Sequence, residues 1–223
     1  MNKAIFYKEW IKTRWMLLLS LLVLVGFSTY LLLNLYRVLD LKGAVHIWEV
    51  MIQRDALFVE LLKYLPLLIG IILGVTQYVP EMHQKCLKLT LHLPYDSTRM
   101  IASMLGFGIL SLLVLSTISL GILFVGLNGA LPIELTRHIL LSAVVWYIAG
   151  IAGYLFTAWI TLEPTWKRRI LNGIVSILVL KIFFTEAAGE AFNDFLPILI
   201  IGTLLFTTFT FLSVSRFKEG KQD

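Results

Sequence analysis

Apolar runs near residues 15–36, 57–78, 100–127, 139–161, 170–184 and 195–215 dominate this 223-residue chain. About 20 such residues in a helix cross a hydrocarbon core of about 30 Å. Lipid offers no partner to a backbone N–H or C=O, so each run must satisfy its own. The expectation is therefore all-α: a polytopic membrane protein with six transmembrane helices, forming one membrane domain over 1–223. Composition agrees, with 58% of residues hydrophobic and 15% charged. A soluble domain stands nearer half and a quarter. Two details are irregular. The fifth run is short and contains Lys181, and Pro66 kinks the second run unless it lies in the first turns.

Lysine and arginine fix the expected orientation. With both termini inside, the inner segments hold Lys3, Lys8, Lys12, Arg14, Lys85, Lys88, Arg99, Lys167, Arg168, Arg169, Arg216, Lys218 and Lys221. The outer segments hold Arg37, Lys42, Arg54, Lys63 and Arg137. That bias predicts an N-in, C-in topology. The net charge of +5 then points to anionic lipid beside the inner loops rather than to nucleic acid. A single cysteine, Cys86, excludes an internal disulfide. The first apolar run is too long for the core of a cleavable signal peptide.

The longest polar interruption on the inner side is Pro80–Arg99. Met82, Cys86, Leu89 and Leu93 follow at i, i+4, i+7 and i+11 and make one apolar stripe. Gln84, Lys85, Lys88 and His92 fall opposite. This predicts an amphipathic helix over 80–93, lying on the membrane face between the second and third spans. Lys88–Leu93 also alternates with period two, so the pattern alone admits a strand; the span-to-span context favours helix. Pro94 ends the element, because the residue before a proline is pushed out of the α region. Asp96 or Ser97 then caps the next helix. Residues 2–13 form a second amphipathic helix, with Ala4, Phe6, Tyr7, Trp10 and Ile11 opposite Lys8, Glu9 and Lys12. Such a helix lies in the interface plane or forms the cytoplasmic flank of the first span, and the two are compatible. On the outer side 38–56 is long enough for a short surface helix. At the other end, 216–223 is a polar tail.

Chemistry-bearing motifs are few. No Gly-x-x-x-x-Gly-Lys-Ser/Thr phosphate loop is present, nor His-Glu-x-x-His, nor Cys-x-x-Cys. His46 and Glu49 stand one turn apart, too few ligands for a metal centre. An intramembrane enzyme needs paired acids or His/Glu sets at matching depths, and the runs contain none. Lys181 lies about eleven residues into its run, roughly 16 Å at 1.5 Å per residue. It either snorkels, pairs with Glu186 or Glu190, or lines a substrate path. Glu60 and Lys63, three residues apart at the outer end of the second run, make an interfacial ion pair or a gate. Gly70-x-x-x-Gly74 and Ala149-x-x-x-Gly153 allow close helix approach.

The order of these parts resembles the membrane subunit of ABC-2-type (type V) ABC transporters. The stretches that carry the likeness are FYKEWIKTRW before the first span and EMHQKCLKLTLHLPYDSTRMIASM before the third. Glu81, Leu87, Leu91, Pro94, Ser97 and Arg99 follow the family's loop pattern loosely, while Lys85-Cys86 stands where the family carries a Gly-Thr step. The resemblance implies that 80–93 is a cytoplasmic coupling helix. Its docking surface for an ATPase would comprise Lys8, Lys12, Glu81, Gln84, Lys85, Lys88, Leu91, His92 and Pro94. Two ATPase subunits and a second membrane subunit, identical or not, would complete the assembly. ATP and Mg would sit in the ATPase; this chain would bind no cofactor and catalyse nothing. Lys181, Glu60 and Lys63 would border the path of an exported or extracted substrate, in a bacterial inner membrane. A scaffold, sensor or mechanotransmission subunit is the alternative.

Overall fold

A chain of this hydropathy is expected to be helical almost throughout, and the computed structural model is. It describes residues 2–54, 62–83, 96–185 and 195–218, with side chains over 3–41 in the first of these. The helices are α1 Asn2–Arg54, α2 Leu65–His83, α3 Ser97–Asn128, α4 Ile133–Leu162, α5 Trp166–Ile182 and α6 Leu196–Lys218. Among the described residues there is no strand. Five of these helices are long and apolar enough to cross a membrane. The exception is α5, whose 17 residues rise only about 26 Å. The fifth apolar run thus forms a helix too short to qualify by itself.

α1 departs from the expected division. The sequence divides it into an interfacial helix over 2–13, a span over 15–36 and an outer helix within 38–56. The structure joins them into one helix of 53 residues, about 80 Å long at 1.5 Å per residue. That exceeds any single hydrocarbon core. The physical reason is local: no proline lies between Asn2 and Arg54, so nothing interrupts the ladder of backbone bonds. The change from an amphipathic to a uniformly apolar pattern marks a change of surroundings and leaves the backbone continuous.

α2 starts at Leu65, later than the expected 57; residues 55–61 lie outside the described residues. Pro66 is the second residue of α2 and opens the helix instead of bending it. The helix then runs past the expected end at Tyr78, through Pro80, to His83. At α3 the cap is Asp96, whose carboxylate accepts from the Thr98 hydroxyl at 2.8 Å and the Thr98 amide at 3.2 Å. Those two bonds, hydroxyl first, hold the Asp96 carboxyl below the usual carboxylate range. Gly129–Pro132 make the short turn into α4.

α4 is the axis of the molecule. It packs against α2, α3, α5 and α6, and its apolar window is the most buried of the five. α1 and α3 run side by side in the same direction, joined by Ser28–Ser119 at 2.8 Å and by Tyr36 donating to Gly126 O at 2.9 Å. α2, α4 and α6 run the opposite way. Consequently the start of α1, the end of α2, the start of α3 and the ends of α4 and α6 gather at one end of the bundle. Call this end the rim.

Candidate functional site

Charge is costly near lipid, so charged side chains buried at the rim need partners. Lys8, Glu9 and Lys12 project from successive turns of α1, and Glu81 from the last turn of α2. Glu81 Oε1 sits 2.7 Å from Lys8 Nζ and 2.8 Å from Lys12 Nζ. Lys12 Nζ also lies 3.0 Å from Glu9 Oε2 and donates to Gln77 O at 2.9 Å. The carboxylates are the inner members: the Glu81 side chain is 3% exposed and that of Lys8 41%. Lys12 is therefore the hub, a single ammonium shared by two buried acids and a helix carbonyl. Thr13 completes the joint by donating to Glu9 O at 2.8 Å.

Behind this joint a neutral network enters the bundle. Gln77 Nε2 donates to Met104 O at 2.9 Å, and Tyr154 OH donates to Gln77 Oε1 at 2.9 Å. Tyr78 OH, 2.8 Å from Tyr154 OH, completes the row. With Tyr154 donating to Gln77, Tyr78 must donate to Tyr154, which orders every proton in the row. The row ties α2, α3 and α4 together one turn below the charged joint. A second joint closes the other side of the rim. Glu163, fully buried just beyond α4, is held by Arg216 Nη1 at 3.0 Å, by the Ser213 hydroxyl and by Thr165.

The structure brings together three of the sequence-derived docking residues, Lys8, Lys12 and Glu81, and pairs them with one another. Gln84, Lys85, Lys88, Leu91, His92 and Pro94, with most of the expected helix over 80–93, lie outside the described residues. So does Glu60. Lys63 is half-buried, with its ammonium 5.9 Å from the Tyr64 ring centre. Lys181 is exposed in the last turn of α5 and makes no ion pair among the described residues. It stands where a cation suits the negative end of the helix dipole. Lys181→Met is accordingly expected to leave stability within about 0.5 kcal/mol of wild type, as read from thermal unfolding in detergent. A larger loss would show that Lys181 holds a structural partner.

Sequence reasoning missed Gln77, Tyr78, Tyr154 and the pairing of Glu163 with Arg216. A signal existed for the first: an amide inside an otherwise apolar run requires a partner. Compared with known proteins, the chain matches no family model, no curated protein and no solved structure.

Proposed function

We propose that the chain is the membrane-spanning subunit of an ABC-2-type transporter, converting ATP-driven motion of a separate ATPase into movement of a substrate. In this reading six segments cross the membrane, both termini face the cytoplasm, and the rim is cytoplasmic. α5 crosses with the help of the turn that follows it. The segment 80–93 would be the lever, with Gln84, Lys85, Lys88 and His92 meeting the ATPase. The observation that most supports the reading is the joint between Lys8, Lys12 and Glu81. A lever needs a stiff root, and this joint ties the residues entering 84–95 to the first helix. Force applied to either part then reaches the other, as a rigid-body switch requires. Two membrane subunits and two ATPase subunits would form the working unit, with ATP and Mg bound outside this chain.

The test has two arms. Lys85→Glu with Lys88→Glu should reduce recovery of a phosphate-loop ATPase copurifying from native membranes by about tenfold, since charge reversal at a docking face costs more than 1.4 kcal/mol. Wild-type chain that recovers no such ATPase would sink the reading. Separately, Cys86 should react with a membrane-impermeant maleimide only in inside-out vesicles. Labelling from outside intact cells would place the rim in the wrong compartment.

A further inference from the structure

A second feature of the rim lies apart from the charged joint. A pocket of about 320 Å³ opens between the end of α2 and the α4–α5 turn, lined by Val79, Met82, His83, Thr161 and Arg169. Arg169 is its charged wall. Its Nη2 donates to Glu163 O at 2.8 Å and to Thr161 O at 3.4 Å. Its Nε is buried and has no hydrogen-bond partner among the described residues. Among them no carboxylate pairs with it either, because both oxygens of Glu163 are held by Arg216, Ser213 and Thr165. A guanidinium cannot shed its proton to escape this cost. The first turn of α5 adds to the imbalance. Lys167 and Arg168 are exposed there, no acidic residue accompanies them, and Thr165 gives no side-chain cap. This is the helix end whose dipole already favours anions.

We propose that this pocket binds the phosphate of an anionic phospholipid. The phosphate accepts from Arg169 and from His83, and the first part of an acyl chain runs along Val79 and Met82. A lipid, rather than a soluble phosphate, fits because the pocket sits where apolar spans end and most of its wall is apolar. Trp166, 63% exposed beside Arg169, is the kind of side chain that settles at headgroup depth. Basic pockets between helices at a membrane surface take such headgroups. The inference needs only that the chain spans a membrane, so it outlives a failure of the transporter reading.

The experiment is native mass spectrometry of the purified full chain, titrated with phosphatidylglycerol or with phosphatidylcholine of the same acyl chains. Phosphatidylglycerol should be retained about tenfold more strongly: both lipids offer the same phosphate, but the choline of phosphatidylcholine sets a cation against Arg169 and its neighbours Lys167 and Arg168. Arg169→Gln should reduce that preference to none, and Arg99→Gln, an exposed cation elsewhere, should preserve it. If Arg169→Gln does not fold, Val79→Trp fills the pocket with Arg169 in place and should abolish the preference likewise. Inorganic phosphate at the same concentration should not displace the lipid. Four results each overturn the proposal: equal retention of the two lipids, an undiminished preference in Arg169→Gln, an undiminished preference in Val79→Trp, or displacement by inorganic phosphate. An Arg169 that merely caps the last carbonyls of α4 would lower stability and leave lipid preference untouched, which is the second of these.

Discussion

Lys12→Met is expected to destabilise the folded chain by about 3 kcal/mol, the lower end for breaking a buried ion pair because the Lys12 side chain keeps some exposure. The loss is larger than that from any other single change at the joint. Glu9 and Glu81 each have an oxygen within 3.0 Å of the Lys12 ammonium. Without it, two buried carboxylates face each other with only the half-exposed Lys8 between them and solvent. This arrangement predicts a reversal of sign. Glu81→Gln in the wild-type background removes an attraction to Lys8 and Lys12 and destabilises. The same change added to Lys12→Met still loses the pair with Lys8, weak because Lys8 is half-exposed, but removes the repulsion between two buried carboxylates, and stabilises. Equilibrium unfolding of the four proteins in mixed micelles measures the cycle. If Glu81→Gln destabilises equally in both backgrounds, Lys12 does not bridge the two acids.

The joint also shows what a sequence conveys and what it withholds. Lys8 and Lys12 were legible as charged residues on the polar face of 2–13, and Glu81 only through the loop pattern of the resembled family. That Lys12 reaches Glu81 across 69 residues of chain was not, because helix periodicity reports which side a residue faces and not which helix it meets. The apolar runs were legible for the opposite reason: burial in lipid imposes a length and a composition on each segment alone. In α1 the pattern reported a change of surroundings along the length and could not report that the backbone runs on unbroken. Pro66 was legible as a constraint, yet its position within α2 depends on where the chain before it turns. Glu163 stands four residues before the basic Lys167–Arg169 of an inner segment; its buried pairing with Arg216 depends on how α4 and α6 align.

The small residues of α2 carry the last expectation. Gly70-x-x-x-Gly74 reads first as close helix packing, with a dimer face as the lesser alternative. Within the chain, a Cβ on Gly70 would lie 2.0 Å from Gly150 O and 2.8 Å from its carbonyl carbon. Both are backbone atoms, so no rotamer change relieves the clash and α2 must move away from α4. These two helices make the most extensive contact in the bundle, so the separation propagates along it. Gly70→Ala should therefore cost about 3 kcal/mol, the upper end for overpacking. Gly26→Ala is the matched control: nothing lies within 4 Å of its Cβ, and the better helix former should gain up to about 1 kcal/mol. Opposite signs from one chemical change isolate close approach from helix propensity. The readout is thermal unfolding of each variant in the same detergent, with crosslinking to separate dimer from monomer. A Gly70→Ala chain as stable as wild type but unable to dimerise would mean that Gly70 faces another subunit, and that the contact between α2 and α4 is not as close as drawn.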